Sequence, residues 1–148
     1  MSFESEISTL NSFYFLKEFT YAKNQFTVPA GEYELADNII SLDDIMIVYQ
    51  LKERGSSGTR TPEQWFNKNI IGKAKKQIKD TLLYLDQYSE IRVINQQGHE
   101  FSLSKPVNSK IHKVMLYSGI DPLPNNYKDR NFYICVTTIT LTPSDNYF

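Results

Sequence analysis

A chain of 148 residues, 41% hydrophobic and 14% aromatic, has the material for one compact domain with its own core, which excludes a disordered segment and argues against a second domain. Its 16 basic and 17 acidic residues leave a formal charge of -1, so no whole-molecule field draws it to a polyanion and any such site must be local. One cysteine and two histidines exclude an internal disulfide and leave almost no material for a structural zinc cluster or a Cys/His nucleophile pair.

The N-terminus "MSFESEIS" carries acids instead of the charged-then-apolar pattern of a signal peptide, and no apolar stretch reaches the length of a spanning helix. A reducing, cytoplasmic setting is expected. From Glu4 to about Phe26 the positions Ile7, Leu10, Phe13, Phe15, Leu16 and Phe19 recur at roughly helical spacing, which predicts a first helix ending before "KNQFTVPAGE". Pro29 and Gly31 then mark a loop. Residues 35 to 52 read as a hairpin, followed by the polar, glycine-containing "ERGSSGTRTPEQ", expected to be a mobile flap beside it.

Thr61, Pro62 and Gln64 supply an N-cap, a first-turn proline and a capping-box partner for a second helix to about Asp86, with Ile71, Ala74, Ile78, Leu82 and Leu85 on its apolar stripe. Lys73, Lys76 and Lys79 flank that stripe, and Lys68 and Lys75 add charge. "EIRVINQQGHEFSLS" predicts two short strands around a glycine turn, "IHKVMLYSGI" another, and "NFYICVTTITL" a last one in which Cys135 is expected as a buried thiol. Helix, hairpin, helix, strands is the order of an α/β sandwich around one mixed sheet.

The hairpin carries the chemistry. With Asp43 and Asp44 as its two-residue turn, partner numbers sum to 87 and Asp37 lies opposite Gln50. Directly opposed residues, and residues two apart on one strand, share a face. Asp37, Gln50 and Lys52 therefore converge, while Ile45, Ile47, Tyr49 and Leu51 line the other face. A carboxylate and an amide oxygen within reach of each other suit a hard divalent cation, and a lysine beside them can orient water or offset charge on a phosphate.

At these residues the chain resembles the PD-(D/E)XK superfamily of restriction-endonuclease-like nucleases. The family pattern of an aspartate on one strand, then an acid, any residue and a lysine on the next, reads here as Asp37 followed by Gln50, Leu51 and Lys52. Glu34 to Asp37 is similar to the Glu-x-x-Asp step of some members. Gln50 departs from the pattern, keeping an oxygen while removing a negative charge, as in some branches of the superfamily.

The resemblance implies a restriction-endonuclease-like α/β/α sandwich and a Mg2+ (or Mn2+) ion held by Asp37, Gln50 and the Leu51 carbonyl. Lys52 would be catalytic, with Glu34 and an acid of the first helix, Glu6 or Glu18, as helpers. Lys73, Lys76 and Gln77 of "GKAKKQIKDTLLYL" would bind substrate, DNA in preference to RNA. A homodimer is compatible with it. No clear closing helix follows "NFYICVTTITLTPSDNYF", so the chain is expected to be either a minimal domain or the N-terminal part of a longer protein. Taken singly, Asp37 can cap a strand and Lys52 can protect a sheet edge, and the lysine-rich helix can be a solvated face. The alternative to a nuclease is a catalytically degenerate module that keeps the fold and binds nucleic acid or a protein partner without hydrolysis.

Overall fold

The computed structural model describes residues 2–22, 25–105, 110–120 and 131–136. Helix α1 (Phe3–Tyr14) opens where the Ser2 side chain accepts a hydrogen bond from the Ser5 N–H, with Glu4 and Glu6 in the first turn against the positive end of the helix dipole. It ends well before Phe26. Leu16 adopts a φ of 63°, a left-handed conformation that reverses the chain, and after a short 3-10 turn at Lys17–Phe19 strand β1 (Thr20–Ala22) begins.

The longer helix expected from the sequence is thus replaced by strand pairing. The apparent periodicity misled because only Phe3, Ile7, Asn11 and Ser12 of α1 are buried, whereas Leu10, Phe13 and Leu16 stay exposed. Beyond the turn, Thr20 and Tyr21 gain more from the ladder with β4 than a helix would give them.

Strands β2 (Gln25–Val28) and β3 (Gly31–Glu34) form a small hairpin across Pro29 and Ala30. The central hairpin follows as β4 (Asn38–Leu42) and β5 (Ile45–Glu53), with Leu42 opposite Ile45 and Asn38 opposite Tyr49. This is the register expected from the Asp43-Asp44 turn. Asp43 carries the positive φ, 51°, that such a turn needs and that Asp tolerates.

Helix α2 spans residues 62–87. The Thr61 hydroxyl accepts from the Gln64 N–H at 3.2 Å and the Gln64 amide oxygen accepts from the Thr61 N–H at 3.1 Å, a complete capping box ahead of Pro62. Between its α-helical ends, Pro62–Phe66 and Lys75–Gln87, the stretch Asn67–Ala74 is π-helical. That widened turn explains a difference from the expected stripe. Phe66, Ile70, Ala74 and Ile78, each four apart, are buried, with Thr81 and Leu85 further along, while Ile71 and Leu82 are only partly covered.

Strands β6 (Ile91–Ile94) and β7 (Glu100–Leu103) make the third hairpin, and β8 (Lys110–Ser118) and β9 (Tyr133–Val136) complete the main sheet. Its order is β1-β4-β5-β8-β9, antiparallel up to β5 and parallel from β5 to β9. The rest of the strand expected in "NFYICVTTITL" lies outside the described residues. Among the described residues the chain is therefore a mixed α/β protein with a mixed five-stranded sheet, and the two small hairpins form separate sheets. Among the described residues no helix is long and apolar enough to cross a membrane.

Two apolar clusters hold the layers. Met46, Val48 and Met115 on one face of the sheet pack with Phe66, Ile70, Ala74 and Ile78 of α2. On the other face Leu51, with Tyr49 and Leu116, packs under Phe3 and Ile7 of α1. Cys135 is exposed, not buried as expected. The period of two explains it: Phe132 and Ile134 join the α2 cluster, leaving Cys135 on the opposite face of the last described strand.

Ile78→Ala should lower unfolding free energy by about 2–5 kcal/mol, since Ile78 is completely covered and truncation leaves a cavity; urea denaturation measures it. Burial, and then Cys135 nearby, hold the Tyr49 hydroxyl above its ordinary pKa of 10.0. The neutral phenol is favoured in the fold, so this contribution is present below pH 10 and lost as pH rises through the raised value. Urea midpoints should accordingly fall less steeply above pH 10 in Tyr49→Phe than in the parent chain.

Candidate functional site

The site arises where β4 stops and β5 continues. The chain bends at Asp37, one residue before the first ladder pair, so Leu51 has no carbonyl from β4 to face. The Asp37 side chain fills that place: its Oδ2 accepts the Leu51 N–H at 2.7 Å in a buried, charge-assisted bond. In an antiparallel ladder the N–H and C=O of one residue point to the same neighbour, which turns the Leu51 carbonyl towards Asp37 as well.

Asp37, Gln50 and Lys52 do share one side of the sheet. The Lys52 ammonium donates to Gln50 Oε1 at 3.3 Å and lies 3.7 Å from Asp37 Oδ2, so one positive charge stands between the two oxygens proposed as metal ligands. Gln50 is 2% exposed and Asp37 8%, with the Lys52 side chain at 17%. Ion pairs this shielded are screened far less than surface pairs. On the opposite side Tyr49 and Leu51 pack against α1, as the register requires.

Beside Gln50 lies a cavity of about 180 Å³, lined by Glu34, Leu35, Gln50, Gln77, Asp80, Thr81 and Tyr84. Glu34 reaches it because an aromatic cluster staples the β2–β3 hairpin onto α2. The Tyr33 ring lies 5.0 Å from Tyr84, and Phe26 lies 5.5 Å from Tyr84 and 5.7 Å from Tyr88. Gln77 enters from α2, and its Oε1 is fully covered without a hydrogen-bond partner. Burial first, and then the Asp80 and Tyr33 groups, raise the pKa of Tyr84 above its ordinary value.

The other expected site residues are placed differently. Glu6 is on α1, which packs against the opposite face of the sheet from the Asp37, Gln50 and Lys52 side chains. Glu18 is committed elsewhere, its carboxylate accepting from the Gln97 amide at 2.7 Å and its carbonyl from Asn95. Lys73 is exposed, and Lys76 pairs with Asp80 at 2.6 Å. The segment expected as a flap is tied at its ends, where the Arg54 guanidinium donates to the Arg60 carbonyl at 2.7 Å. Gly119 supports this corner: with a φ of 82°, a Cβ there would collide with the Arg54 carbonyl.

Asp80 was not among the expected residues. Its signal was present in "QIKDTLLY", where Gln77, Asp80, Thr81 and Tyr84 fall at i, i+3, i+4 and i+7 and so share one helix face. Among the described residues no three His, Cys, Asp or Glu side chains converge as a metal-binding group. The donors that do meet, through Lys52, are hard oxygens: the Asp37 carboxylate and the Gln50 amide. They fit a Mg2+-type ion in kind, and the ammonium already between two of them is a cation in the same cradle.

Asp37→Ala should cost about 1–3 kcal/mol, because it leaves the Leu51 N–H buried without an acceptor, whereas Asp37→Asn keeps an acceptor oxygen and should cost clearly less. Parallel urea titrations of the two variants measure the difference.

No protein-family model, curated protein or solved structure matches this chain.

Proposed function

We propose that the chain is a metal-dependent nuclease of restriction-endonuclease-like fold, hydrolysing phosphodiester bonds in DNA through Asp37, Gln50 and Lys52. The observation that carries this reading is the convergence of carboxylate, amide and ammonium at the end of the central hairpin, with Lys52 Nζ 3.3 Å from Gln50 and 3.7 Å from Asp37. Asp37, Gln50 and the Leu51 carbonyl would hold Mg2+ or Mn2+. That ion, when bound, supplies Lewis acidity and a template for water and phosphate.

The chain's own residues supply the rest. In hydrolysis a water oxygen bonds to phosphorus, the ester P–O bond breaks, and the leaving oxygen takes up a proton. Lys52 can position that water and offset the negative charge that grows as phosphorus becomes five-coordinate. Asp37 holds the Leu51 backbone and Lys52 together, and its carboxylate aims the ammonium. Glu34, at the cavity beside Gln50, would act as a helper by orienting water near the ion. With a net charge of -1, the chain must draw DNA by local lysines on α2, so binding should weaken steeply with salt.

The test is incubation of the purified chain with single-stranded, double-stranded and branched DNA, and with RNA, in Mg2+ or Mn2+. Cleavage of DNA is expected, and Lys52→Ala should reduce it on the order of 10²–10⁴-fold. Gln50 lacks the charge of the family's usual acid, which favours one competing reading, a binding module without hydrolysis. DNA binding by the parent chain without cleavage under any cation would establish that module and end the nuclease assignment.

A further inference from the structure

Beside the buried face of α1 run two unlike stripes. Ser5, Thr9 and Ser12 form one, and their hydroxyls turn back on the helix, donating to the Ser2, Ser5 and Ser8 carbonyls at 2.9, 2.8 and 2.8 Å. Glu6, Leu10 and Phe13, spaced i, i+4 and i+7, form the other. That second stripe stays open to solvent. Leu10 is 50% exposed and Phe13 78%, and Tyr14 and Leu16 beside them are 69% and 56% exposed. The Phe13 and Tyr14 rings meet edge to face with centroids 5.4 Å apart, so they stand out as one aromatic knob.

The patch does not end with the helix. Leu42, Ile45 and Tyr133 are also exposed, and the strand register turns them to the face of the sheet on which α1 packs. Among the described residues, seven of the ten large apolar side chains left exposed therefore belong to this one side. With about 150–250 Å² for a whole aromatic side chain, Leu10, Phe13, Tyr14 and Leu16 alone leave on the order of 500 Å² open, the upper end of the largest patch on a typical monomer. A patch of that size marks a contact surface.

The charge along α1 indicates what fits it. Glu4 and Glu6 stand in the first turn, the last turn holds no base, and Lys17 lies exposed just past the C-terminal end. Two such helices laid antiparallel bring the acidic end of each to the Lys17 end of the other, and their dipoles oppose; a parallel pair would set acid against acid. With Leu10 opposite Phe13 of the partner subunit, partner numbers sum to 23, and the same sum brings Glu6 to the level of Lys17 of the partner subunit. A two-fold axis between the helices makes every such contact twice.

We infer that the chain forms a symmetric homodimer through α1, with Leu10, Phe13 and Tyr14 at the centre of the interface and Glu6 and Lys17 paired at its two ends. The inference stands apart from the nuclease reading. α1 packs on the opposite face of the sheet from the Asp37, Gln50 and Lys52 side chains, so the dimer leaves both trios facing outward.

Sedimentation velocity of the full chain tests it, and a concentration-dependent dimer of micromolar Kd is expected. Phe13→Asp should raise Kd roughly tenfold or more without lowering the thermal unfolding midpoint, because the ring is mostly in solvent in the single chain. Glu6→Lys and Lys17→Glu should each weaken the dimer several-fold, and the two together should return Kd to near the parent value. Glu6→Lys opposes the helix dipole in both backgrounds, so that rescue is one a mere loss of helix stability would not produce. A parent chain that stays monomeric well above micromolar concentration overturns the inference and leaves the patch to a different partner. A dimer unmoved by Phe13→Asp, or a double variant no tighter than either single one, overturns it as well.

Discussion

The buried bond from the Leu51 N–H to the Asp37 carboxylate is the contact on which the site depends. β5 outruns β4 by several residues, and a strand that loses its neighbour in the interior leaves backbone groups that must find other partners. Asp37 satisfies one of them with a side chain. The price is a carboxylate held nearly out of solvent, and Lys52 answers that charge from the residue after Leu51 on β5. A structural need at the end of a ladder and the trio of groups proposed to react are thus one arrangement.

The layers around it fix its position. Met46 and Val48 fasten β5 to α2, and Leu51 fastens the same strand to α1, so the strand bearing Gln50 and Lys52 is gripped from both faces. The aromatic cluster of Phe26, Tyr33, Tyr84 and Tyr88 brings the β2–β3 hairpin down on α2 and sets Glu34 across from Asp80. Rigid elements on all sides suit a site whose chemistry needs fixed distances.

Much of this was legible in the residues. The Asp-Asp turn fixes the hairpin register, because only one pairing keeps Met46 and Val48 on the α2 side, and a slip of one would turn every side chain over. Thr61, Pro62 and Gln64 mark the start of α2 by a local mechanism that needs no tertiary information. The first helix was overextended because Phe13, Phe15 and Leu16 imitate an apolar stripe, while the reversal at Leu16 depends on pairing with a strand twenty residues further on. The π-helical turn, invisible to a fixed 3.6-residue period, shifted the buried stripe from Ile71 to Ile70. Asp80 is similar: its helix face is readable in the sequence, but what that face meets is decided by the β2–β3 hairpin.

The central claim is that the Asp37 and Gln50 oxygens form a cradle for a cation which Lys52 occupies in its absence. Anomalous diffraction from crystals soaked in Mn2+ tests it most directly. The account predicts a peak about 2.1 Å from oxygens of Asp37 and Gln50, with the Lys52 ammonium moved away from both. A Mn2+ soak that leaves no peak there, and Lys52 still lodged between the two oxygens, would contradict it.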